Sequence, residues 1–146
     1  MARPAEQKHR VLLACKNRVH GGGQEKQYIE VARRFAGRYR LTFLMAGGHV
    51  EPDMAGLGRM YRFPGRGRKL FAPLDMFYMA YVILRERIEL VHAHHRYPAF
   101  LGSLLRYVLP VRQLTTVHNV FPDKSAVSLW GDRLIAVSQG VADWLS

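Results

Sequence analysis

Three groups of residues have the types and spacing to do chemistry. Gly21, Gly22 and Gly23 stand between an apolar run, Val11 to Cys15, and a stretch with helical periodicity. At such a junction the missing side chains let backbone N–H groups and a helix N-terminus approach a phosphate or an anionic sugar. A tight turn needing φ > 0 would call for the same residues. The loop lacks the GK[ST] ending of a nucleoside triphosphatase and does not read as GxGxxG. No acidic residue closes the second apolar run at Met45 or Ala46 to hold a ribose hydroxyl, so a nicotinamide-dependent dehydrogenase is a poor candidate.

His92, His94 and His95 form the second group. A strand puts residues two apart on one face, neutral imidazole is a common metal ligand, and His118 could join from a later strand. A metal-dependent hydrolase could be built on His92, His94 and His118. Acidic residues that would complete an oxygen-and-nitrogen site are scarce nearby, so no metal is assigned. The preferred reading makes His92 a core histidine with a hydrogen-bonded ring and lets His94 or His95 line a crevice.

The third group is basic. Arg59, Arg62, Arg66, Arg68 and Lys69 interleave with Tyr61 and Phe63 just ahead of the apolar run FAPLDMFYMAYVIL. Cations beside exposed aromatics suit a peripheral membrane contact, with Arg62, Arg66, Arg68 and Lys69 touching the lipid, or a polyphosphate site. A solvated loop leading into a core helix would read the same way. No recognition-helix pattern, zinc-ligand spacing or RNP-like aromatic strand supports nucleic acid as a partner.

The elements that must position these groups alternate. A strand over residues 10–15 is followed by a helix from Gln24 to Ala36 and a strand from Leu41 to Ala46. Gly47 to Lys69 reads mainly as an irregular basic loop, with a short strand at Met60 to Phe63. Pro73 suits the first turn of a helix running to about Glu86. ELVHAHH is a strand, Pro98 to Val108 a helix stopped by Pro110, Arg112 to His118 and Asp132 to Ser138 strands, and Gln139 to Leu145 a helix. Repeated β-then-α units predict an α/β Rossmann-like domain of three layers with a mostly parallel sheet. Ligands of such sheets sit at the carboxyl ends of the strands, which here carry Asn17 to Gly23, His94 to Arg96, His118, Asn119 and Ser138.

Length and composition fit one domain over residues 1–146, with 49% hydrophobic residues for a core. Twenty-two Lys and Arg against eleven Asp and Glu give a net charge of +11, which draws phosphates, anionic lipid or nucleic acid. Cys15, the single cysteine, lies in an apolar run and reads as a small buried residue rather than a reactive thiol. The first apolar run is too short for a signal peptide, and Leu70 to Leu84 is interrupted by Pro73 and Asp75 and too short to span a bilayer. A cytoplasmic protein, peripheral on the inner face of the membrane, is expected.

The order of motifs is more specific than any one of them. VHGGGQEKQYIEVARRF, ELVHAHHRYPAFLGSLL, TTVHN and DRLIAVSQGVADWL, in that order, resemble the N-terminal domain of family 4 glycosyltransferases, retaining enzymes of the GT-B architecture. The resemblance covers nearly the whole chain except Gly47 to Lys69. It implies the acceptor-binding half of a clamshell whose C-terminal partner domain holds the nucleotide-sugar, used as co-substrate with no other cofactor and no metal. It implies that His118 approaches the transferred sugar as the catalytic residue and that Gly21, Gly22 and Gly23 face a donor or acceptor phosphate. Acceptor contacts fall to His94, His95, Arg96, Asn119, Lys124 and Ser138, with Arg96 and Lys124 suited to an anionic glycan or lipid-linked acceptor of cell-envelope polysaccharide synthesis. The chain ends at Ser146 without the family's acidic donor motif, so the expectation is that it needs a C-terminal GT-B domain in cis or in trans and is inactive alone. The alternative from another class is a non-catalytic binding module for an anionic lipid, glycan or protein surface.

Overall fold

Runs such as Val11 to Cys15 and Leu41 to Met45 are apolar on both strand faces, and a strand of that kind is stable only with a layer on each side. Both layers are present in the computed structural model, which describes residues 8–16, 23–47, 51–118 and 131–145. In chain order the elements are β1 (Arg10–Cys15), α1 (Gly23–Phe35), β2 (Arg40–Met45), α2 (Glu51–Met54), β3 (Gly58–Arg62), a 3₁₀ turn (Lys69–Phe71), α3 (Ala72–Glu86), β4 (Leu90–Ala93), α4 (Arg96–Leu105), β5 (Arg112–Val117), β6 (Arg133–Ala136) and α5 (Gln139–Leu145). The described strands form a single sheet in the order β3-β2-β1-β4-β5-β6, and every neighbouring pair is parallel.

Alternation along the strands divides the core in two. Val11, Leu13, Cys15, Leu41, Phe43 and Met45 pack with Tyr28 and Ala32 of α1 and Met54 of α2. Leu12, Ala14, Leu44 and Val91 pack on the other face with α3 and α4, through Met79, Val82, Ile83, Leu101 and Leu105. Arg87 closes α3 in the left-handed region (φ 52), and Ile88 N–H then reaches back to Ile83 O at 2.9 Å. This closure satisfies orphan carbonyls and turns Ile88 into the core.

The two sheet edges differ. β3 is built from GRMYR, with Arg59 and Arg62 exposed, whereas β6 leaves Leu134 and Ile135 exposed. β3 meets the short strand expected at Met60 to Phe63, displaced towards Gly58, but corrects the expectation of irregular chain around it. Gly58–Arg62 pairs residue for residue with Leu41–Met45, and α2 precedes it. Its start at Gly58 was not legible because an edge strand needs one neighbour and no continuous apolar run.

The turn after β3 is ordered by one carboxylate. Asp75 in α3 is fully buried and accepts hydrogen bonds from Gly65 N–H (2.6 Å), Gly67 N–H (3.1 Å) and the Tyr97 hydroxyl (2.7 Å). Arg66 and Gly67 both have positive φ, 53° and 68°, and Arg68 N–H closes the turn on Gly65 O at 3.0 Å. A non-glycine residue in that region costs about 1–2 kcal/mol, so Arg66 is held there by the bonds on either side. The basic loop is therefore a pinned turn, with Gly65 and Gly67 buried and Arg66, Arg68 and Lys69 exposed.

Replacing Asp75 should destabilise the fold strongly, since hydrogen bonds to a charged group contribute about 1.5–3 kcal/mol each. Urea denaturation is expected to give a loss of about 3 kcal/mol or more for Asp75→Ala and about 1 kcal/mol for Tyr97→Phe. Equal midpoints for Asp75→Ala and wild type would deny the carboxylate this role.

Candidate functional site

The connections leaving β1 and β4 diverge, since β1 leads to β2 on one side of the sheet while β4 leads to β5 on the other. Open parallel sheets bind ligands at the carboxyl ends of the strands beside such a reversal. Lys16 follows β1, His94 and His95 follow β4, His118 follows β5, and Gly23 opens α1. His94 N–H bonds to Ala14 O at 2.9 Å and extends the β1–β4 pairing to the crevice floor.

His95 is fixed from β1. Its Nδ1 accepts the Lys16 backbone N–H at 3.0 Å and lies 3.1 Å from Cys15 Sγ. An Nδ1 that accepts from the backbone leaves the proton on Nε2. Burial, reinforced by the nearby Glu25 charge, pushes the Cys15 thiol well up, so it acts as a weak donor and not as a nucleophile. The Lys16 stem lies along Gly67 and its ammonium sits 5.4 Å from the centre of the Tyr97 ring, joining the crevice to the basic turn.

Behind His95 the imidazoles are stacked. His92 is buried, with Nε2 2.8 Å from Thr116 Oγ1 and its ring centre 4.2 Å from that of His94. His94 is 1% exposed, meets the Tyr28 ring edge-on at 5.0 Å, and finds no hydrogen-bond partner for either nitrogen among the described residues. Tyr28 is held in turn by its hydroxyl, which donates to Leu13 O at 2.9 Å. The His118 ring is 6.0 Å from His94 and 6.3 Å from His95, and its Nε2 is also without a partner among the described residues.

Burial governs the charge of this cluster. It holds His92 down to about 4, with the His118 charge adding to the effect. It holds His94 well below the usual range, helped by His92, His118 and His95, and lowers His118 as well. At neutral pH these rings offer hydrogen bonds rather than positive charge. Among the described residues no group of three His, Cys, Asp or Glu side chains is arranged to hold a metal ion, so a hydrolase on His92, His94 and His118 lacks a ligand set there.

Gly23 opens α1 with an ordinary backbone, and a Cβ built on it would meet nothing within 4 Å among the described residues. Its φ is not left-handed, and no described residue packs against the position. Gly21, Gly22, Asn119 and Lys124 lie outside the described residues. Arg96, half-buried, opens α4 beside His95. Ser138 stands apart at the end of β6, where its hydroxyl accepts Val141 N–H at 3.3 Å and caps α5. Arg62 ends β3 and Arg66, Arg68 and Lys69 belong to the pinned turn, on elements other than those that carry the histidines.

Sequence reasoning missed Lys16, Tyr97 and Asp75 as partners of the site, and for Cys15 it missed the contact with His95. Only the register of β1 on β4 places Cys15 and Lys16 beside His95, and a single sequence does not contain that register. A separate open depression of about 590 Å³, lined in part by Lys8, Arg10, Arg40 and Glu86, lies at the opposite edge of the sheet, away from every strand end named above.

The sequence profile of Glycosyltransferase Family 4 matches residues 21–146. A glycosyltransferase from Rickettsia africae ESF-5 superposes with a TM-score of 0.75 at 18% identity, over 95% of this chain and 39% of that one. Anabaena HepE in complex with UDP superposes with a TM-score of 0.69 at 14% identity, over 92% of this chain and 39% of that one. Its complex with UDP-glucose gives 0.70 at 15% identity, over 92% and 39%. The chain thus spans about 39% of the length of these solved structures. Curated protein sequences give no match.

Two outcomes follow from the geometry. Gly23→Ala should fold with an unchanged or slightly raised melting temperature, since alanine favours a helix by about 1 kcal/mol over glycine. It should weaken the binding of pyrophosphate or a nucleotide-sugar measured by calorimetry, and unchanged binding would return the glycine to a turn-only role. The second outcome concerns pH. His92 is neutral in the fold at a pH where the unfolded chain, with its histidines near 6.5, already binds a proton. The stabilisation is complete above about pH 6.5 and falls as pH drops towards 4, by about 3 kcal/mol for His92. Urea midpoints over this range should slope for wild type and less so for His92→Gln; a flat wild-type profile would contradict neutral burial.

Proposed function

Because the chain belongs to glycosyltransferase family 4, we propose that it is the acceptor-side domain of an enzyme that moves a sugar from a nucleotide-sugar to a glycan or lipid-linked acceptor. The observation that carries this reading is the placing of His95 and His118, their ring centres 6.3 Å apart, beyond the carboxyl ends of β4 and β5 in the parallel sheet. A second domain that holds the nucleotide, in cis or in trans, completes the cleft. The UDP and UDP-glucose complexes of the Anabaena relative support a nucleoside-diphosphate sugar as the donor. The reaction draws on a cytoplasmic pool of that donor and serves cell-envelope polysaccharide.

In this reading the bond between the anomeric carbon and the diphosphate oxygen breaks, and the acceptor hydroxyl oxygen bonds to that carbon with retention of configuration. The hydroxyl proton leaves with the departing diphosphate. The protein's contribution is orientation and charge stabilisation. Gly23 exposes the N-terminal N–H groups of α1 to the phosphate. His118, kept neutral by burial, donates or accepts a hydrogen bond at a sugar hydroxyl without adding a charge. His95, oriented by Lys16 N–H, and Arg96 beside it face the acceptor.

The test combines the chain with its nucleotide-binding domain and compares wild type with His118→Ala. Turnover should fall on the order of a hundredfold or more, with little change in KM or melting temperature, as for a hydrogen bond that strengthens in the transition state. Unchanged turnover would remove His118 from the site. Robust transfer by these 146 residues alone would overturn the half-enzyme reading.

A further inference from the structure

The helix that the sequence reads as a core helix is apolar on its outer side as well. Phe71, Leu74, Phe77, Tyr81 and Leu84 recur at intervals of three or four residues, the spacing of one helix face, and all are exposed, as is Leu70 beside Phe71. Leu70 is 84%, Phe77 70% and Leu84 60% exposed, too much for neighbours in the core. The stripe extends for about 20 Å at 1.5 Å per residue. A run of exposed large apolar side chains of this length marks a contact surface.

Charge identifies what the stripe meets. From Met54 to Ile88 the sequence holds seven Arg and Lys and only two acids, Asp75 and Glu86. Both acids are buried and hydrogen-bonded, Asp75 by the basic turn and Glu86 by Arg59 and Tyr61. Arg66, Arg68 and Lys69 are exposed at the head of the stripe, and Arg85 lies over the Tyr81 ring at its far end, 5.8 Å from the ring centre. Asp75 ties the turn to α3, and Gly65 packs closely on Phe71, so the cations and the apolar stripe form one body. Arg66 holds a costly left-handed backbone in that turn.

We infer that the outer face of α3, together with the turn at Arg66 to Lys69, seats this domain on an anionic phospholipid bilayer. The apolar and aromatic side chains enter the interface and the cations meet lipid phosphates, the arrangement of an interfacial helix. No described helix is long and apolar enough to cross a membrane, so the contact is made in the plane of the surface. A second copy of the chain would bring the same net charge of +11 to the contact. The seat lies beside the crevice, because Tyr97 bonds to Asp75 and carries the Lys16 ammonium on its ring. Only the corollary, that the acceptor is carried by lipid, rests on the function proposed above.

Flotation with vesicles of phosphatidylcholine, with and without phosphatidylglycerol, tests the seat with no sugar donor present. Wild type should float with the anionic vesicles and less so as salt rises. Arg66→Ser, Arg68→Ser and Lys69→Ser together should weaken binding on the order of a hundredfold, at about a factor of five per cation. Leu74→Ser with Phe77→Ser should abolish binding while the melting temperature is kept, since both side chains are exposed. Cys15 is buried, so Phe77→Cys gives one accessible thiol for a polarity-sensitive fluorophore. Its emission should shift to the blue with anionic vesicles, whereas a label at Arg33→Cys on α1, across the sheet, should not shift. Equal flotation with both lipids, no shift at position 77, or a dimer in sedimentation that the Leu74 and Phe77 changes dissolve without any vesicle binding would each overturn the inference.

Discussion

Lys16, His94 and His95 of the candidate site hang from one pairing, β1 beside β4 in parallel register. Neither strand is linked to the other by a short turn, so the pairing must come from burial of both faces and from the ladder that ends at Ala14 O and His94 N–H. That last bond decides which atoms meet at the crevice. With Ala14 opposite Ala93, the next residues out are Cys15 and Lys16 on one strand and His94 and His95 on the other. A slip of one residue would turn His94 away from Tyr28 and carry His95 away from the Lys16 N–H.

A second feature follows from the same pairing. The crevice floor is made of imidazoles and a thiol that burial keeps uncharged, while the cations lie on the rim in the pinned turn. Polar groups without charge can orient a sugar by hydrogen bonds at little electrostatic cost. Charge on the rim attracts anions over a distance without placing a fixed ion beside the reacting groups. Asp75 makes this division possible, since it binds the backbone of the turn and leaves Arg66, Arg68 and Lys69 facing outward.

The sheet and its strand ends were legible because apolar runs such as VLLAC and LTFLM have no other stable use than as covered strands. The same logic placed His92 and His94 on one face, where they stack, and gave His92 its bonded core position. Two things were not legible. α3 is apolar nearly all round, so its sequence does not say which face the sheet takes and which is left outside. Asp75 looked like an interruption of an apolar run, because its three donors come from a turn and from a helix distant in sequence. Family resemblance named the motifs at the strand ends but said nothing of the stretch from Gly47 to Lys69, where the structure adds α2 and the pinned turn to the short strand read from the residues.

The unlike edges of the sheet give intermolecular strand addition a direction. At β3 a newcomer strand meets exposed Arg59 and Arg62, and desolvating those guanidinium groups opposes a new ladder. At β6 it meets Leu134 and Ile135, with no described strand on the outer side. An added strand should pair at β6 before it pairs at β3. Fusion partners and tags therefore preserve solubility best when they shelter that edge.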